Sequence, residues 1–157
     1  MARASKRDHI VEQATALFLD QGFKGTSVDS VVNTCAVSKP TVYKHFPDKT
    51  LLMAAIMDQW LKDRPVASLQ GTDQDDVWQD MANRWWRPEH MAMYRLVIAE
   101  GWRFPAAARR FWQEYDQLWQ AAASRWVTAQ KPGEADDWGR AIKAEMWRRL
   151  LPEDATG

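Results

Sequence analysis

Within seven positions, Lys39, Thr41, Tyr43, Lys44 and His45 bring together two ammonium groups, a hydroxyl, a phenol and an imidazole. Donors and aromatic edges at this density suit phosphate anchoring and base contact. Trp112, Trp119 and Trp126 repeat every seven residues with Tyr115 between them, which places the rings on one stripe of a helix. The stripe has two readings: core or dimer packing, or a pocket wall where aromatic faces beside Glu100 or Glu114 hold a flat or cationic compound. Catalytic machinery is missing from the pattern. His9, His45 and His90 are scattered, and no nucleophile elbow, phosphate loop or metal-ligand spacing occurs. Cys35, the only cysteine, reads as a small buried hydrophobe. The expectation is a binding protein, not an enzyme, with no cofactor and no metal.

The elements that must position these residues are helical, because sustained period-two alternation is absent. Ile10, Ala14, Leu17 and Phe18 mark a first helix over roughly 5–21, ended by Gly22. Thr26, three residues before Asp29, predicts the cap of a short second helix. Ser38 and Pro40 open a third that runs to about His45. Asp48 caps a fourth, from Lys49 to about Asp63, and Val66 to Asp75 reads as a linker. Val77, Met81, Trp85 and Trp86 lie on one face of a fifth helix. Pro88 and Pro105 each open a further helix, and the last, with Trp138, Ile142, Met146 and Leu150, stops at Pro152. The fold class is therefore all-α, about eight helices: an N-terminal three-helix domain over 1–48 and a helical domain over 49–157, joined by the helix at 49–63.

Hydrophobic residues make up 46% and charged residues 27% of the 157, a globular composition. Net charge is zero, which argues against binding nucleic acid by bulk charge. Residues 1–64 nevertheless hold nine Lys or Arg against seven Asp or Glu, and the remainder twelve against fourteen. That asymmetry has the sign a DNA-binding amino-terminal half requires. No run approaches the roughly 18 apolar residues of a spanning helix, so a cytoplasmic protein with no membrane partner is expected.

Two short helices joined by about three residues, with a supporting helix before them, form a helix-turn-helix arrangement. The segment GFKGTSVDSVVNTCAVSKPTVYKHFPDKTLL, within Ile10 to Leu61, resembles the amino-terminal domain of the TetR family of regulators. The resemblance implies a sequence-specific DNA-binding regulator, usually a repressor released by a small-molecule effector and acting as a homodimer on double-stranded operator DNA. It implies phosphate contacts from Thr26 or Ser27 and from Lys49 at helix starts, backbone contacts from Tyr43 and His45, and base-edge contacts among Lys39, Pro40, Thr41 and Lys44. The turn between the two helices holds Ala36 where the family usually has glycine, and a left-handed alanine there costs about 1 kcal/mol.

The segment MYRLVIAEGWRFPAAARRF resembles, more weakly, the region of the same family that leads through a Phe-Pro corner into a long helix. In the family this domain binds the effector and dimerises through its last two helices. The candidate effector residues are Trp85, Tyr94, Glu100, Trp102, Trp112, Tyr115 and Trp119. Family members commonly carry one further long helix beyond the segment matching 137–151. A smaller dimer surface is therefore expected, built from Trp126, Trp138, Ile142, Trp147 and Leu150. The alternative is a ligand-binding or dimer-only protein with a relic helix-turn-helix.

Overall fold

The computed structural model describes residues 5–131 and 133–151, and among these there is no strand. The helices are α1 (Lys6–Gly25), α2 (Val28–Cys35), α3 (Lys39–His45), α4 (Lys49–Lys62), α5 (Gln74–Arg84), α6 (Pro88–Glu100), α7 (Pro105–Phe111), α8 (Gln117–Gln130) and α9 (Ala135–Leu150). A 3₁₀ turn, Gly101–Arg103, precedes Phe104 and α7, and a π turn, Trp112–Asp116, joins α7 to α8. Residues 105–130 are therefore helical throughout, as expected, with one turn wound wide. The stop assigned to Pro152, like Pro132, lies outside the described residues.

The described residues cluster into two units, one formed by those up to Arg64 with Leu96–Phe111, the other by Pro65–Arg95 with those from Trp112 onward. In the first, Ile10, Val11, Ala14 and Phe18 of α1 are buried with Val31 and Cys35 of α2, Val42 of α3, and Leu52, Met53 and Ile56 of α4. In the second, Val77, Met81, Trp85 and Trp86 of α5 and its end are buried, as are Tyr94, Tyr115 and Trp119.

Local rules account for the ends of the first helices. Ser5 and Asp8 form a capping box at α1. Gly22, with φ 75° and ψ 172°, breaks the helical path just where the sequence places the stop. The cap of α2 is Ser27, not Thr26: Ser27 and Ser30 exchange side-chain to amide hydrogen bonds of 2.9 and 3.0 Å. The expected Thr26–Asp29 pair is thus one residue out of register. Two capping serines outweigh it because Thr26 turns inward, where its hydroxyl donates to the Gly22 carbonyl at 2.8 Å. Ala36 takes the left-handed conformation, φ 52° and ψ 36°, which the turn demands of whatever residue stands there.

Candidate functional site

The pair α2–α3 is fixed from behind. Val42 and Phe46 of α3 and its end are buried, and the His9 imidazole of α1 donates from Nε2 to the Cys35 carbonyl at 3.1 Å, holding the end of α2. What α3 presents outward is Lys39, Pro40, Tyr43 and Lys44, all exposed, with Thr41 and His45 half-buried at the edges. Tyr43 is 41% exposed. Pro40, Tyr43 and Lys44 share one face by their i, i+3, i+4 spacing. Lys39 reaches back to Asp29 of α2, Nζ to Oδ1 2.7 Å, and this partner raises its pKa above the ordinary lysine value. The pair is solvent-exposed on both sides, so little free energy holds it against a phosphate. Ser38 and Thr41 share a hydroxyl hydrogen bond of 2.8 Å at the start of α3.

Arg7, with its guanidinium 5.2 Å from the Phe46 ring centroid, adds a cation beside the end of α3. Sequence reasoning missed it. The signal was a basic residue in the first turn of α1, a position that gains meaning only once Phe46 is placed.

Two expected phosphate ligands are redirected. Thr26 is buried, so it cannot offer its hydroxyl outward; Ser27, exposed, can. Lys49 opens α4 as expected, but its ammonium donates to the carbonyls of Phe23, at 2.5 Å, and Thr26, at 2.9 Å, and lies 4.4 Å from the Phe23 ring centroid. Burial lowers its pKa, against the opposing pull of Glu100. It serves the turn between α1 and α2.

The expected effector residues separate into two groups. Trp85, Tyr94, Trp112, Tyr115 and Trp119 come together in the second unit: Trp85 lies 5.4 Å from Tyr115, and Tyr94 lies 6.0 Å from both Trp112 and Tyr115. Polar links thread through the rings. Trp119 Nε1 donates to the Tyr94 hydroxyl at 2.6 Å, which donates to Asp116 Oδ1 at 2.7 Å, and Gln120 donates to Asp116 Oδ2 at 2.6 Å. The Tyr115 hydroxyl donates to the Trp85 carbonyl. Burial raises the pKa of Tyr94, Tyr115 and Asp116, and lowers that of His90, whose ring lies 5.3 Å from Tyr115. Asp116 and His90 were not singled out in the sequence, although Asp116 sits three residues from Trp119 and four from Gln120. The π turn brings Asp116 inward among the rings, and no periodicity announces such a turn.

The buried indole N–H groups of Trp85 and Trp86 have no hydrogen-bond partner among the described residues, an uncommon condition for buried donors. Trp119 and Gln120 also line a cavity of about 170 Å³ with Ala123, Val127 and Ile142. That is smaller than the roughly 300–1,000 Å³ usual for ligand sites.

Glu100 and Trp102 belong to the first unit, not to this cluster. Glu100 accepts backbone amides at the end of α1, and Trp102 is 70% exposed with the Arg103 guanidinium 4.1 Å from its ring. The dimer residues are redistributed too. Trp138, Ile142 and Leu150 are buried within the second unit, where Trp138 meets Trp126 at 5.5 Å and stacks on Trp78 at 6.2 Å. Trp126 is half-buried, and Trp147 is 54% exposed.

Two family models match this chain: that of bacterial regulatory proteins of the tetR family over residues 10–56, and that of the AefR-like transcriptional repressor C-terminal domain over 75–136. The chain is 32% identical over 63 residues to the HTH-type transcriptional repressor DhaR of Mycobacterium sp. strain GP1, covering 40% of this chain and 32% of DhaR. It is 28% identical over 151 residues to the HTH-type transcriptional regulator UidR of Escherichia coli K12, covering 92% of this chain and 75% of UidR. The match thus spans about a third of the one relative and three quarters of the other. Among solved structures, Salmonella enterica GusR superposes with a TM-score of 0.64 at 24% identity, covering 94% of this chain and 82% of GusR.

Proposed function

The chain belongs to the TetR family of bacterial regulatory proteins, and on that premise we propose that it is a repressor released from operator DNA by a small effector held in the aromatic cluster of its second unit. Sequence-specific DNA binding in the control of transcription is the function of this family and of this chain. Both halves match their family models, which argues against the reading of a relic helix-turn-helix on a ligand-binding or dimer-only protein.

The observation that carries the DNA reading is the outward face of α3: Pro40, Tyr43 and Lys44 exposed together over a buried Val42 and Phe46. Base edges are assigned to Lys39, Pro40, Thr41 and Lys44. Phosphates are assigned to Ser27, Tyr43 and His45, with Arg7 added. The contrast between Lys44 and Lys49 tests the assignment. Lys44→Ala is expected to relax preference at one base-pair position by about 1–3 kcal/mol. Lys49→Ala is expected to weaken specific and non-specific duplexes alike, with no drop of about 0.9 in the salt slope per phosphate contact, because its ammonium is engaged with carbonyls. Fluorescence anisotropy across a salt series distinguishes the two. A Lys44→Ala variant with unaltered base preference and a Lys49→Ala variant with a reduced slope would reverse the roles.

For the effector, the buried indole N–H groups of Trp85 and Trp86, without a hydrogen-bond partner among the described residues, favour a flat aromatic compound carrying acceptor oxygens. The small cavity beside Trp119 implies that such a compound widens the site on entry. Because a palindrome is read by two recognition helices about 34 Å apart, a homodimer is part of the proposal, through the outer faces of α8 and α9 with Trp147 exposed on the latter. Trp138, Ile142 and Leu150 are withdrawn from it. A cytoplasmic site of action completes the reading; among the described residues no helix is long and apolar enough to cross a membrane.

A further inference from the structure

We propose that Glu100 is a positioning residue for DNA binding: its carboxylate clamps the turn between α1 and α2 and so sets the placement of the helix-turn-helix. This rests on the DNA-binding reading and adds a residue far in sequence from the DNA-facing ones.

Gly22 turns the chain out of the helical path, which frees the amides of the residues that follow. Glu100 accepts both: Phe23 N to Oε1 and Lys24 N to Oε2, each at 2.8 Å. Hydrogen bonds to an ionised acceptor are the stronger kind. The approach is possible only at glycine, because a Cβ at position 22 would stand 2.5 Å from Glu100 Oε1. Arg103 pairs with the same carboxylate at 3.3 Å.

The carbonyls of the turn are taken from the other side by Lys49, at Phe23 and Thr26. The Phe23 ring packs 5.6 Å from Phe18 and 5.1 Å from Phe104. The turn is therefore held from two sides, the amides of Phe23 and Lys24 by Glu100 and the carbonyls of Phe23 and Thr26 by Lys49. Ser27, the cap of α2, is the next residue along, and α3 follows across the short Ala36 turn. A shift of residues 23–26 is passed directly to the helices that meet DNA.

Electrostatics alone gives the opposite expectation, since deleting a carboxylate should increase the attraction of phosphate. The sign of the effect therefore separates the two. The probe is the duplex recovered from a randomised library by the wild-type protein. Glu100→Ala is expected to bind it tenfold or more weakly, and Glu100→Gln, whose amide oxygen still accepts, to lose less. The salt slope should equal that of wild type, because no phosphate contact is removed. Amide hydrogen exchange at Phe23 and Lys24 should quicken in both variants. A purely structural Glu100 would lower the melting temperature while affinity, measured well below it, stayed the same. Affinity unchanged or raised in a folded variant, or unaltered exchange at the two amides, would overturn the positioning role. If Glu100→Ala does not fold, the isosteric Glu100→Gln decides by the same two readouts. A wild type that recovers no duplex overturns the DNA-binding reading itself, whereas a binding wild type with equally tight variants overturns only the role of Glu100.

Discussion

Gly22→Ala is expected to destabilise the protein by about 3–5 kcal/mol, assembled from two separate causes. The backbone at 22, φ 75° with ψ 172°, lies in a region nearly confined to glycine, and forcing a side chain into it costs roughly 1–3 kcal/mol. The added Cβ also displaces the Glu100 carboxylate, whose oxygen it would meet at 2.5 Å, and so weakens two charge-assisted hydrogen bonds worth about 1.5–3 kcal/mol each. For a chain of this size the melting temperature should fall by roughly 6–20 °C. Calorimetry on the variant checks it. A change below about 1 kcal/mol would mean that residue 22 relaxes into an ordinary conformation and that the turn is not held as described.

The second large effect is at Asp116, buried among the rings of the second unit with Tyr94 and Gln120 donating to its two oxygens. Asp116→Ala removes the acceptor of both donors and opens a small void. The buried Tyr94 hydroxyl deprived of that acceptor costs about 1–3 kcal/mol and the half-buried Gln120 amide less, so with the void a loss of roughly 2–4 kcal/mol is expected at neutral pH. Asp116→Asn should behave differently, because its amide oxygen still accepts from Tyr94 while its charge is gone. Burial raises the carboxyl pKa above its ordinary value near 3.8. The folded state thus holds the proton longer than the unfolded chain. Wild-type stability from this group is full below the ordinary value and is lost as pH rises through the raised one. The asparagine variant lacks that slope. Denaturant melts between pH 3.5 and 7 should find Asp116→Asn gaining on wild type as pH rises, then running parallel to it. A wild type that gained on Asp116→Asn over this range would place the carboxylate in a site that favours its charge.

The helices, their order and the outward face of α3 were legible because they rest on local signals: apolar spacing, serine and proline at helix starts, and Gly22 at a stop. Ala36 in the left-handed region was foreseeable from the family resemblance, in which glycine usually stands at that turn. What sequence spacing could not give is the direction of single side chains. Thr26 and Ser27 are adjacent and both able to cap, yet only packing decides that Thr26 faces inward. Lys49 at a helix start reads as a phosphate ligand, and only the folded turn supplies the carbonyls that draw it away. The heptad of Trp112, Trp119 and Trp126 was visible, but the π turn that sets Asp116 among the rings leaves no periodic trace. Glu100 and Trp102, six and eight residues beyond Tyr94 in sequence, were grouped with it, although they pack with the first unit. Trp138, Ile142 and Leu150 read as an interface because an apolar helix face looks the same whether its cover is the same chain or a partner.

Sequence-specific recognition of duplex DNA is tested most directly by competition. Wild-type protein bound to the duplex it recovers from a randomised library is titrated with the same duplex and with a scrambled one, at several salt concentrations. The expected result is a preference of about 1,000-fold or more for the recovered site, with the logarithm of affinity falling linearly against the logarithm of salt. Equal competition by the scrambled duplex at every salt concentration would contradict it.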